Sequence, residues 1–147
     1  MNNTETYAEM HLVFDNDYDV QTITELTKIT PYECQRRCET RINSETHDHN
    51  PGFWSLKSKT FLEIDISAAL DDLVFKVKGE LMQIKKICAD NQGKVIFDIV
   101  STFDSDNVPA IYFEKSFLDI VHNLDAEIQL DLYVENTRRK TGGGSVS

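Results

Sequence analysis

Between Ile66 and Gln92 the apolar residues Ile66, Leu70, Leu73, Val74, Val77, Leu81, Ile84 and Cys88 recur every three or four positions. That spacing draws one broad apolar stripe along a helix. Asp65 or Ser67 suits the N-terminal cap, Lys85 and Lys86 suit the negative end, and Gly93 suits the left-handed residue that closes a helix. Gly79 interrupts the stripe. A glycine costs about 1 kcal/mol in a helix interior, so a bent helix or two helical pieces are expected there.

Alternation replaces this period on either side. From Tyr7 to Phe14, Ala8, Met10, Leu12 and Phe14 share one face, and Tyr7, Glu9, His11 and Val13 share the other, which predicts a half-buried strand. Asp19 caps a short helix that carries Val20, Ile23 and Leu26 inward and stops before Pro31. Tyr32 to Arg41 reads as an edge strand, Asn43 to Gly52 as a mobile polar loop, and Phe53 to Lys57 as a strand. The alternation of Leu62, Ile64 and Ile66 leaves open whether that strand resumes before the central helix.

After Gly93, the run KVIFDIVSTF sets Val95, Phe97 and Ile99 against Ile96, Asp98 and Val100. Ala110 to Phe113 predicts another strand, and Lys115 to Asn123 a helix burying Phe117, Ile120 and Val121. In the last strand Ile128, Leu130, Leu132 and Val134 point inward, and Glu127, Gln129, Asp131 and Tyr133 outward. The predicted order is β-α-β-β-α-β-β-α-β. Alternating strands imply a largely antiparallel sheet with helices over one face, an α+β sandwich of ferredoxin-like type. Residues 1–135 are expected to form one domain, and residues 136–147, without apolar periodicity, a disordered tail.

Composition narrows the class. The 147 residues are 40% hydrophobic and 27% charged, an ordinary globular balance, and no run is long and apolar enough for a membrane span. The N-terminus lacks the pattern of a signal peptide, so the expected location is cytoplasmic. Three cysteines argue against a disulfide framework. The net charge of −10 is uneven: residues 1–30 hold one lysine against six acids, and residues 94–136 hold two against nine. An acidic domain repels nucleic acid and suits either solubility or a basic protein partner.

Candidate chemistry is sparse. Cys34 and Cys38 with His47 and His49 have the donor types of a zinc site. On one strand, however, cysteines four residues apart are separated by about 13 Å, so no metal or other cofactor is expected. Trp54 shares a face with Leu56, which favours the core, yet beside a polar loop it is also a candidate partner anchor. If the first and last strands are neighbours, Tyr7, Glu9, His11, Glu127, Gln129, Asp131 and Tyr133 form the best candidate working surface.

Several segments together resemble the bacterial domain-of-unknown-function family 4279. They are DVQTITEL from Asp19 to Leu26, ITP from Ile29 to Pro31, the triplet Trp54-Ser55-Leu56, and LDAEIQLDLYV from Leu124 to Val134. Two positions depart from the pattern: Asp125 stands where a glycine is expected, and ECQRRCETR replaces a basic, glycine-containing hairpin. The resemblance implies no activity and assigns no catalytic residue. The expectation is a non-catalytic binding or interaction domain of accessory or immunity type. The alternative is an enzyme or small-ligand binder with a polar pocket between the open sheet face and the loop around His47 and His49.

Overall fold

In the computed structural model, which describes residues 4–41 and 47–136, the alternation at the N-terminus becomes β1 (Glu5–Phe14). Ala8, Met10, Leu12 and Phe14 are fully buried, while their alternates remain partly open to water. The chain continues through α1 (Gln21–Thr27), β2 (Glu33–Gln35), β3 (Cys38–Arg41), β4 (His47–Asn50) and β5 (Gly52–Lys57). It then forms α2 (Ile66–Val77), α3 (Leu81–Asn91), β6 (Gly93–Asp104), α4 (Lys115–Asn123) and β7 (Glu127–Glu135). Five of the strands make an open mixed sheet in the order β2-β5-β1-β6-β7, and β3 and β4 pair as a separate hairpin. Three of the four pairings in the large sheet are antiparallel; β6 and β7, joined through α4, run parallel.

The helices cover one face of this α+β fold. Across the sheet, Leu12 lies opposite both Trp54 and Val95, and Met10 opposite both Leu56 and Phe97, which gives continuous apolar rows. On these rows rest Ile66, Ala69, Leu70, Leu73 and Val77 of α2 and Ile84, Ile87 and Cys88 of α3. Phe117 of α4 meets Phe97 edge-on at 5.1 Å between ring centroids. Burying a leucine-sized side chain stabilises the fold by about 1.5–3 kcal/mol, so this layer sets the orientation of the sheet, and no helix among the described residues lies on its other face.

The central apolar stripe divides at Lys78, Gly79 and Glu80, with Glu80 N–H donating to the Val77 carbonyl at 2.8 Å. Asp65 caps α2 by accepting from Ala68 N–H at 2.9 Å. The C-terminal end of α3 corrects the expectation for Gly93: Gln92 takes the left-handed conformation, at φ 56°, and Gly93 already belongs to β6. A Cβ on Gly93 would lie 2.5 Å from the Phe14 ring, so space rather than backbone freedom requires glycine. Asp125 does adopt the left-handed region, at φ 51°, between α4 and β7.

Several predicted segments differ. The expected edge strand from Tyr32 to Arg41 is two strands in different sheets, because β2 pairs with β5 whereas β3 pairs with β4. The expected loop before Gly52 contains β4, although residues 42–46 lie outside the described residues. Ala110 to Phe113 is not a strand: Ile111 and Phe113 pack on the core from an irregular segment, with Tyr112 outside. Alternation records which residues face inward, and a loop lying on a core shows the same pattern as a strand. The stretch before α2 contributes only a bridge from Phe61 to Thr6, and Leu62 is exposed. Asp19 precedes α1 as expected, accepting from Gln21 N–H at 3.1 Å, but Thr27 is buried in the position expected of Leu26. The expected tail falls almost wholly on residues 137–147, outside the described residues.

Candidate functional site

The uncovered face carries the alternate residues of the same strands, so the pattern that builds the core also builds the site. Strand β6 lies between β1 and β7, so the first and last strands are not neighbours, the condition set for the candidate surface. Their polar residues still share a face, with those of β6 placed between them. One row runs Lys57, Glu9, Asp98, Gln129, and the next joins Ser55, His11, Ile96 and Glu127. Tyr7, Val100 and Asp131 form a third row, and Thr102 and Tyr133 close the face beyond it.

Asp98 stands at the centre. It is the one charged residue between Lys94 and Asp104, held there by apolar neighbours on both sides in sequence. Its carboxyl is pushed up to about 7, first by burial, then by its hydrogen bond with Asp131, and then by the negative charges of Asp131 and Glu9. Near neutral pH it therefore exists in both forms. With its proton it donates to Asp131; without it, two carboxylates face each other beside a third. Asp98 Oδ1 is sealed from water and has no hydrogen-bond partner among the described residues. Tyr7 is also raised, by burial and then by Glu9, Asp98, Glu5 and Tyr133, which reports the same convergence of negative charge.

Around this pair the other groups are tied down. His11 Nδ1 lies 2.6 Å from Ser55 Oγ, and its Nε2 lies 3.4 Å from Glu9 Oε2. A serine, histidine and glutamate in line have the residue types of a hydrolase triad. Ser55, however, is only 1% exposed, so its hydroxyl cannot be presented to a substrate from this position. Lys57 Nζ sits 4.2 Å from the centre of the Tyr7 ring and 5.2 Å from that of Tyr32, a cation held against two aromatic faces. Glu127 is paired with Lys94 at 3.0 Å in an exposed ion pair.

Of the residues expected from the sequence, Tyr7, Glu9, His11, Gln129, Asp131 and Tyr133 lie on this face, and Glu127 lies at its rim. Trp54 does not: it is fully buried, and its indole N–H donates to Thr24 Oγ1 at 3.0 Å, which makes it a core residue that locks α1 to β5. Cys34 and Cys38 fall on separate strands, and the side chains of His47 and His49 lie outside those described. Among the described residues no three histidine, cysteine or acidic side chains converge as metal ligands. Sequence reasoning missed Asp98, Ser55 and Lys57 as site members. A lone acid inside the apolar run VIFDIV was the available signal for Asp98; the partners of the others depend on strand order.

No helix among the described residues is long and apolar enough to cross a membrane. Comparison with curated proteins and with solved structures yields no match. The match to a protein family is nearly end to end, running over residues 4–135 and so taking in every strand and helix from β1 to β7. The chain belongs to the family described as Domain of unknown function (DUF4279).

Proposed function

We propose that the chain is a cytoplasmic binding module, of accessory or immunity type, whose open sheet face receives basic groups of a partner protein. The observation that carries this reading is the juxtaposition of Asp98, Asp131 and Glu9 on a face that no helix among the described residues covers. Such a group of acids repels itself, and a lysine or arginine placed among them relieves the repulsion while displacing the proton held by Asp98. Of the fifteen acids in residues 1–30 and 94–136, seven lie on β1, β6 and β7, the strands that build the face, and the excess as a whole gives long-range attraction for a basic surface.

Calorimetric titration with a lysine-rich peptide at pH 7, in buffers of different ionisation enthalpy, tests the reading. Binding is expected to release a proton, and the release is expected to vanish in Asp98→Asn. Association is also expected to slow as salt rises, because exposed charges are screened over about 10 Å at 0.1 M. The double substitution Glu127→Lys and Asp131→Lys should slow it at low salt, with circular dichroism as the control for folding. Salt-independent binding without proton release would sink the proposal.

A further inference from the structure

On its helix side, β7 does not finish the layer that its sequence begins. Ile128 packs against the core, but Leu130, Leu132 and Val134 are 41%, 40% and 57% exposed. These are the residues whose alternation predicts burial, on a nine-residue strand at the edge of the sheet. Its pairing with β6 runs without a bulge from Glu127 to Glu135, and the strand contains no proline, glycine, lysine or arginine. Bulges, proline and lysine are among the devices by which edge strands refuse a further strand, and the charges β7 does carry, Glu127, Asp131 and Glu135, are all acidic and share one face. The opposite edge, β2, is three residues long.

We propose that β7 is a docking edge that takes up an extended segment of a partner protein as a sixth strand, basic residues alternating with apolar ones along that segment. The inference rests on the open face being a site for basic groups and adds how the partner is held. An incoming strand presents its alternate side chains to the two faces in the same rows as β7. On the helix side it would cover Leu130, Leu132 and Val134, and on the open side it would stand beside Glu127, Asp131 and Glu135. Apolar residues answer the first row and lysine or arginine the second. At about 3.3 Å per residue, the nine residues of β7 accept a segment of similar length, roughly 30 Å.

The same charges disfavour a second copy. Pairing β7 with itself would line up these three acids from each chain along one seam, close to Asp98, and like charges facing across strands are destabilising. The apolar row invites a strand, and the acidic row selects which one.

The test uses the full chain, labelled for amide spectra, and a nine-residue peptide alternating lysine and valine. Two further peptides carry N-methyl groups on one or the other alternate set of backbone amides. The parent peptide is expected to bind and to protect amides of β7. One N-methylated peptide is expected to lose about tenfold or more in affinity while the other binds like the parent, since only one edge of the peptide pairs with β7. Leu132→Thr, which keeps a strand-forming residue, should weaken the parent peptide with the spectrum otherwise unchanged. If both N-methylated peptides bind as tightly as the parent, the docking edge is overturned while the open face still stands as a basic-group site. If none of the three peptides binds, both readings fall. A dimer paired through β7 in sedimentation and amide protection would overturn the assigned occupant.

Discussion

Replacing Asp98 by asparagine keeps the shape of the side chain and removes its ionisation. In the unfolded chain an aspartate releases its proton near 3.8, whereas Asp98 holds its proton until about 7. Between those values the folded protein binds more protons than the unfolded one, so stability falls as pH rises and is fully reduced above about 7. For a fully buried group this interval would amount to roughly 4 kcal/mol. Asp98 is only partly buried, and water screens Asp131 and Glu9, so the expected loss is about 1–2 kcal/mol. Urea melts of both proteins from pH 4 to pH 8 measure it. The two should be about equally stable at pH 4, where the protonated carboxyl and the amide both donate to Asp131, and the variant should lead by about 1–2 kcal/mol at pH 8. A constant offset at every pH, or a variant less stable at pH 8, would refute the placement of Asp98 between two acids.

Leu73→Ala should destabilise by about 2–5 kcal/mol in the same melts, because Leu73 is fully buried under α2 and its loss leaves a cavity. Leu81→Ala should cost less, since Leu81 is only half-buried at the start of α3; equal losses would mean that the helix faces are misassigned. Gly93→Ala should cost about 1–3 kcal/mol because its Cβ would meet the Phe14 ring, and Phe14→Leu in the same chain should recover part of the loss. No recovery would place the strain elsewhere.

Much of this fold was legible because burial imprints a period on the chain. The stripe from Ile66 to Cys88, the break at Gly79, the alternation of β1 and β6 and the bounds of α4 from Lys115 to Asn123 all follow from local spacing. The family was legible for the same reason, since its segments are themselves runs of such spacing. What spacing could not supply was adjacency. It marks Leu130, Leu132 and Val134 as inward, but whether a helix lies over them depends on where α4 crosses, and they remain open. It marks Trp54 as apolar beside a polar loop, but only the approach of Thr24 on α1 makes it a bonded core residue.

The candidate site was divided in the same way. The sequence by itself determined that Glu9, His11, Gln129, Asp131 and Tyr133 turn away from the apolar layer, because alternate residues of a strand must take opposite faces. Tertiary structure alone decided that β6 separates β1 from β7 and so sets Asp98 between Glu9 and Asp131. Strand order depends on long-range pairing among elements distant in the chain, here β1 with β6 and β6 with β7. A group's proton affinity depends on the charges such pairing brings beside it, which no local pattern records.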